Sequence, residues 1–114
     1  MKDDTVYLKH IRDAIERIEE YTEGLTEEEF KEDRLVQDGV VRQIEIIGEA
    51  AKQLSGGAKD ELDDVPWEDV AGMRDKLIHG YFGVDLETVW DTVQEDIPEL
   101  QGHLPADLNE ENDR

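Results

Sequence analysis

Apolar residues recur three and four positions apart along almost the whole of this 114-residue chain. This spacing places apolar side chains on one side of an α-helix, whereas a half-buried β-strand alternates apolar and polar residues. The stripe of the first segment, residues 4–23, consists of Tyr7, Leu8, Ile11, Ala14, Ile15, Ile18 and Tyr21. No segment alternates in the manner of a strand, so the pattern predicts an all-α fold.

Capping signals divide the first half of the chain into helices. Gly24 is suited to end the first helix, because glycine readily adopts the left-handed backbone found after helix C-termini. Thr26 followed by Glu29 is a capping-box pattern, which predicts a short helix ending near Asp33. A longer amphipathic helix is then predicted from Arg34 to Leu54.

Small residues mark the second half of that long helix. Gly48, Ala50 and Ala51 leave room for a neighbouring helix to approach closely. Ser55-Gly56-Gly57 is expected to break the chain after it.

Proline and aspartate mark the remaining helices. Pro66 is expected in the first turn of a helix that stops near Gly80, with His79 in its last turn. Asp85 is expected to cap a final helix, and Pro98 is expected to bend it.

Length and composition favour one domain. We expect an antiparallel bundle of four to five helices over residues 1–104 and a disordered acidic tail over residues 105–114. Because a domain of this size buries only about two-thirds of its unfolded surface, pairing with a second copy would help to stabilise it.

The absence of cysteine excludes disulfides, thiolate metal sites and a cysteine nucleophile. With no signal-peptide pattern and no apolar stretch near the ~20 residues of a membrane span, we expect a cytoplasmic protein.

The charge is unusual for a folded domain, with 32 acidic and 12 basic residues giving a formal net charge of −20. Three interpretations compete: an acidic disordered chain, an acidic mimic that binds basic partners, and a surface adapted to molar salt. The periodic apolar pattern argues against disorder. The acids are spread over every segment rather than gathered on one face, which favours adaptation to high salt.

The sharpest local feature runs from Arg74 to Tyr81. If both residues lie on one ideal helix, Arg74 and His79 point about 140° apart and are separated by about 7.5 Å along the axis. One helix therefore does not bring them together easily. Two copies facing each other across a twofold axis could place an arginine and a histidine from each subunit in one cleft, which predicts a site shared by a homodimer.

The chemistry of these residue types suits RNA cleavage. A histidine can transfer protons near neutral pH, and a guanidinium can hold a phosphate while negative charge develops on it. In the expected mechanism the ribose hydroxyl attacks the adjacent phosphate, His79 handles protons and Arg74 stabilises the crowded phosphorus, with no metal or other cofactor. Asp75 lies four residues before His79 and could orient its imidazole as a supporting residue. A structural alternative is that Arg74 forms a surface ion pair and His79 caps the helix, which the spacing alone favours.

Beyond these residues, the chain resembles the HepT-like toxins of the HEPN superfamily. The motif of that family has an arginine, a polar residue, three further residues, a histidine, one residue and a tyrosine, and Arg74 to Tyr81 matches it. Similarity extends to VVRQIEIIGEAAKQLS at 40–55, VPWEDVAGMRDKLIHGYFGVD at 65–85 and VWDTVQEDIPEL at 89–100. Asp75 stands where the family commonly has asparagine.

The resemblance implies a HEPN-type helical bundle that forms a homodimer and cleaves RNA without a metal, with Arg74 and His79 as catalytic residues. It also implies pairing with an MntA-like minimal nucleotidyltransferase antitoxin in a type VII toxin-antitoxin system. AMP transfer to Tyr81 would place negative charge where a substrate phosphate should bind, and would silence the site.

Other candidate features have simpler explanations. The acidic run over 60–64 lacks calcium-loop spacing, so a solvated face is expected there. Trp67 and Trp90 could stack on bases but fit a core or a subunit seam better. Glu49 could support the cleft or be an ordinary exposed helix residue, and both interpretations stay open.

The alternative function for the whole protein is a non-catalytic helical module that serves as scaffold or substrate for the nucleotidyltransferase.

Overall fold

The computed structural model describes residues 2–79, 83–106 and 108, without the side chains of residues 2, 3 and 79. The helices are α1 (Lys2–Thr22), α2 (Glu27–Glu32), α3 (Arg34–Gln53), α4 (Gly56–Glu61), α5 (Trp67–Ala71), α6 (Met73–Leu77), α7 (Leu86–Asp91) and α8 (Ile97–His103). Strands β1 (Ile78–His79) and β2 (Gly83–Val84) lie between α6 and α7, and a π-helical segment (Thr92–Asp96) joins α7 to α8. Apart from this short ladder the described chain is all-α, as the apolar spacing predicts.

The two longest helices, α1 and α3, form an antiparallel pair along their whole length. Asp4 at the start of α1 contacts Ser55 just beyond the end of α3, and Tyr21 at the end of α1 lies against Gly39 near the start of α3. The apolar stripes predicted for these helices face each other. Fully buried side chains at their interface include Ile11, Ile15, Ile18, Val40, Ile44 and Ile47. This pair is the base on which the shorter elements pack.

The predicted caps of α2 and α7 are confirmed. The Thr26 hydroxyl accepts from the Glu29 N–H at 3.1 Å, and the Glu29 carboxylate accepts from the Thr26 N–H at 2.9 Å. The Asp85 carboxylate accepts from the Thr88 N–H at 3.1 Å. Gly24 has the expected left-handed backbone, with φ of 78°.

The break predicted at Ser55-Gly56-Gly57 is confirmed, because α3 ends at Gln53, but a new helix follows at once. α4 begins directly at Gly56, and the Ser55 hydroxyl accepts from the Ala58 N–H at 3.1 Å. Ser55 is itself held by the Asp4 carboxylate. The side-chain cap thus starts a helix at a position where glycine alone would disfavour one.

The prediction of one helix from Pro66 to near Gly80 is wrong. Gly72 divides the segment into α5 and α6, Pro66 occupies the N-cap position of α5, and α6 ends at Leu77. The Leu77 carbonyl then accepts from the Asp85 N–H at 2.7 Å.

His79 consequently lies in a strand and not in a helical turn. β1 pairs antiparallel with β2, with Ile78 opposite Val84 and His79 opposite Gly83. The pairing satisfies the backbone groups of this reversing segment without continuing α6, because buried or partly buried peptide groups need hydrogen-bond partners.

The last helical segment is interrupted just before Pro98, the proline that is expected to bend it. The π-helical segment Thr92–Asp96 directly precedes α8, in which Pro98 lies in the first turn. A proline has no N–H to complete the regular helical ladder, and π-type turns are a common accommodation.

Packing continues beyond the boundary predicted at residue 104. Leu108 is buried among the core residues, although residues 105–114 are predicted to form a disordered acidic tail. Residues 107 and 109–114 lie outside the described residues, so that prediction stands untested for them. Within the described ranges, no helix combines the length and apolar character needed to cross a bilayer.

Candidate active site

Arg74 is presented by the short helix α6 and meets α3. α6 buries Met73 and Leu77 against the core, which leaves Arg74 at the surface with 46% of its side chain exposed. The Arg74 Nε–H donates to Glu45 Oε2 of α3 at 2.8 Å. The sequence-predicted arginine is therefore anchored to a residue 29 positions away in the sequence.

Glu45 lies between two guanidinium groups. Its Oε1 atom is 3.6 Å from Arg42 Nη1, one turn earlier on α3, while its Oε2 atom contacts Arg74. A third contact joins Arg74 Nη1 and Asp75 Oδ1 at 3.6 Å. The group is a small charge network in which one carboxylate bridges α3 and α6.

This network borders a shallow cleft of about 380 Å³ between α3 and the α5–α6 segment. Its lining residues are Arg42, Glu45, Gly48, Glu49, Lys52, Ala71, Arg74 and Asp75. Three cations face three carboxylates here, whereas the chain as a whole carries 32 acidic residues against 12 basic ones. The cleft is thus a locally neutral part of a strongly acidic protein, which lowers the repulsion of an approaching phosphate.

Gly48 sets how closely α5 approaches α3. A Cβ atom on Gly48 would lie 3.1 Å from the Ala71 carbonyl oxygen and 3.6 Å from that of Val70. The small-residue pattern of α3 therefore has the structural purpose predicted for it. The close approach brings α6, which follows α5, within reach of Glu45.

The remaining residues of the predicted site are only partly described. The His79 backbone is in β1, and its side chain lies outside the described residues, as does the whole of Tyr81. The expected Asp75–His79 pair on one helical face is wrong in its geometry, because α6 ends before His79. Asp75 is on α6, and 82% of its side chain is exposed; its supporting role stays a prediction.

Comparison with known proteins identifies the family. The family model described as "Ribonuclease HepT-like" matches residues 11–106. The chain belongs to the HepT-like ribonuclease family.

Relatives of this HepT-like chain cover most of its length. A Thermococcus cleftensis protein named "Probable ribonuclease HepT" is 50% identical over 96 residues, 84% of this chain and 87% of the relative. A Caldanaerobacter subterraneus protein named "Putative RNase" is 41% identical over 111 residues, covering 97% and 99%. A Methanocaldococcus jannaschii protein named "Gamma-glutamylcyclotransferase and putative RNase" is 48% identical over 103 residues. That match covers 90% of this chain and 46% of the relative, so the chain spans about half of that protein. No significant match to a solved structure was found.

Sequence reasoning missed Glu45 and Arg42 in this HepT-like site. Arg42 and Glu45 are three residues apart on α3, a spacing common on any helix surface. Nothing local distinguishes them, and only the packing of α6 on α3 brings them to Arg74. Glu49, left open above, lines the cleft and contacts Lys52 at 3.3 Å.

The alternative sites have structural explanations. Trp67 is buried and its Nε1–H donates to the Leu62 carbonyl at 3.0 Å. Trp90 packs against Phe30 with ring centroids 5.3 Å apart. Trp67 therefore packs in the core and Trp90 is partly buried against it, in line with the interpretation preferred for both. Among the side chains that the structure describes, no three or more His, Asp or Glu are grouped to hold a metal ion.

Proposed function

We propose that this protein is a metal-independent endoribonuclease and the toxin of a HEPN/nucleotidyltransferase toxin-antitoxin pair. Membership of the HepT-like family supports the ribonuclease class. The observation that carries the proposal for this chain is the anchored Arg74, half exposed beside a locally neutral cleft and five positions before His79. A guanidinium in that setting can bind a phosphodiester and stabilise charge developing on it.

In the proposed reaction the ribose 2′-oxygen attacks the adjacent phosphorus, and the bond from phosphorus to the 5′-oxygen breaks. The products are a 2′,3′-cyclic phosphate and a 5′-hydroxyl. His79 transfers the protons, since one must leave the attacking hydroxyl and one must reach the departing oxygen. Arg74 stabilises the negative charge on the phosphoryl oxygens in the transition state.

We further propose that the working unit is a homodimer whose subunits complete one cleft. Two exposed apolar side chains support this: Val84 on β2 is 40% exposed, and Leu35, seven residues or about two turns before Arg42 on α3, is 84% exposed. Val84 borders a depression that also contains Arg42 and Glu45. Exposed apolar side chains beside a charged site are suited to contact with a second copy of the chain. That contact would cover the apolar side chains and the site together.

The family also suggests the regulator. We propose an MntA-like minimal nucleotidyltransferase as antitoxin, acting in the cytoplasm by transferring AMP to Tyr81. Coexpression with such a nucleotidyltransferase should raise the chain mass by whole AMP units, and Tyr81→Phe should prevent this. An unchanged wild-type mass in the presence of ATP would contradict this part of the proposal.

The ribonuclease proposal is tested with the purified chain in high salt, using RNA and a metal chelator. Wild type should cleave, whereas Arg74→Ala and His79→Ala should lose activity by about 10²-fold or more, the range seen when a stabilising or proton-transferring group is removed. Cleavage that survives both substitutions would refute the site. A wild type that binds the nucleotidyltransferase but never cleaves RNA would favour the non-catalytic module instead.

A further inference from the structure

Helix α6 cannot by itself fix the direction in which Arg74 points. It has five residues, little more than one turn, and Gly72 provides no side-chain cap at its start. Isolated helices of that length are unstable in water. The orientation of Arg74 must therefore come from contacts outside α6.

The strongest such contact is with α3, a 20-residue helix packed along α1. Glu45 accepts from Arg74 Nε at 2.8 Å and is itself only 31% exposed. Its second oxygen faces Arg42 at 3.6 Å. A charge-assisted hydrogen bond is stronger than one between neutral groups, and this one joins Arg74 to the long helix α3.

A carboxylate in this place has a cost for the proposed function. Glu45 adds negative charge beside a cleft proposed to bind a polyanion, so it opposes substrate binding electrostatically. A guanidinium has five N–H donors in a rigid fork. Engaging the Nε–H fixes the plane of the group, and terminal N–H donors stay available to a phosphate.

We propose that Glu45 is a positioning residue that holds the Arg74 guanidinium in the orientation needed for RNA cleavage. The inference rests on the proposed function and concerns a residue outside the Arg74–Tyr81 motif. Loss of Glu45 should have two kinetic effects, because it removes a negative charge that opposes RNA binding and also removes the contact that anchors Arg74. KM and kcat should therefore both fall.

The test compares Glu45→Ala and Glu45→Gln with wild type at one fixed salt concentration. Glu45→Ala should lower kcat on the order of 10²-fold, the effect of misplacing a catalytic group by about 1 Å. Glu45→Gln keeps the side-chain shape and an acceptor oxygen, so it should lose about 10-fold. KM for RNA should fall in both variants.

A matched control is Glu20→Gln on α1. Glu20 is exposed, and the substitution changes the net charge by the same amount at a distance from the cleft. Its kcat should equal that of wild type. Should Glu45→Ala fail to fold by thermal unfolding, Glu45→Gln decides the question, since it preserves the shape of the side chain.

The Arg74→Ala variant separates the two levels of the proposal. If Arg74→Ala cleaves like wild type, the proposed function is wrong. If Arg74→Ala is inactive while both Glu45 variants keep the wild-type kcat, only the positioning inference is overturned. The double variant Glu45→Ala/Arg74→Ala should be no slower than Arg74→Ala, because Glu45 acts through Arg74.

A second readout needs no RNA. In ¹⁵N-labelled protein the Arg74 Nε–H resonance, identified by its loss in Arg74→Lys, should exchange slowly with solvent in wild type and in Glu20→Gln. Glu45→Ala should make this exchange fast. Slow exchange that persists in Glu45→Ala would overturn the inference, since Arg74 would then be held by something else.

Discussion

Asp4, near the start of α1, joins this helix to the end of α3 through hydrogen bonds with Ser55. Its carboxylate accepts from the Ser55 N–H at 2.8 Å and from the Ser55 hydroxyl at 2.7 Å. These hydrogen bonds, that of the backbone first, lower the pKa of Asp4 below its ordinary value of 3.8. Because the folded-state pKa is below the unfolded one, the stabilisation is present above the unfolded pKa and is lost as pH falls through the folded pKa.

Asp4→Asn should therefore reduce the free energy of unfolding most at neutral pH. The difference from wild type should shrink as pH falls below 3.8, because Asp4 of the unfolded chain becomes protonated first and Asp4 of the folded protein follows at its lower pKa. Urea unfolding of both proteins at pH 7, 4 and 3 measures this. A difference that stays constant over that range would show that ionisation of Asp4 does not contribute.

At the scale of helices, the contact of α5 with α3 determines where the site forms. Gly48 allows this contact because a Cβ there would press on the Ala71 carbonyl. Gly102 on α8 is a useful contrast, since no atom of the described residues lies within 4 Å of a Cβ built on it. The two positions separate the effect of close packing from that of helix propensity.

Gly48→Val should lower the free energy of unfolding by about 1–3 kcal/mol, the usual effect of overpacking. It should also lower kcat for RNA, because displacing α5 moves Arg74 away from Glu45. Gly102→Val should change the free energy of unfolding by no more than about 0.5 kcal/mol, since valine and glycine differ little in helix propensity. Its kcat for RNA should equal that of wild type. Equal effects at the two positions would contradict the packing account.

The starts of α2 and α7 were predictable from the sequence because each depends on a capping residue next to it. Thr26 and Asp85 cap helices where the pattern places them. The end of α6 was not predictable, since it depends on pairing of β1 with β2 and on the bond from the Asp85 N–H to the Leu77 carbonyl. These are tertiary contacts, and the helical periodicity up to His79 contains no sign of them.

The same distinction applies to the site. Arg74 could be selected because its motif is local, whereas Glu45 lies 29 residues earlier on a different helix and has an ordinary surface spacing. The prediction that Asp75 and His79 share one face of a helix was wrong because it assumed that α6 continues to His79. Sequence reasoning thus located the arginine but could not identify what holds it.

At the scale of the whole molecule, net charge determines how the stability of the fold depends on salt concentration. A formal charge of −20 on 114 residues produces strong self-repulsion in dilute buffer. The Debye length falls from about 30 Å at 0.01 M salt to about 3 Å at 1 M, which screens most of that repulsion.

We predict that the Tm rises by roughly 5 °C or more between 0.01 and 0.5 M KCl, corresponding to about 1 kcal/mol in a domain of this size. Screening is the main effect of salt in this range. Differential scanning calorimetry at matched pH measures the rise. A Tm that is flat or falls with added KCl would contradict adaptation to high salt.

We propose that Arg74 and His79 from paired copies of this chain meet around one phosphodiester. The most direct measurement mixes Arg74→Ala with His79→Ala, allows the subunits to exchange, and assays RNA cleavage in high salt with chelator. Each variant alone should be inactive, and the mixture should regain part of the wild-type activity, because a mixed dimer holds one intact arginine and one intact histidine. A mixture that forms mixed dimers, verified by mass, yet stays as inactive as its components would contradict the claim.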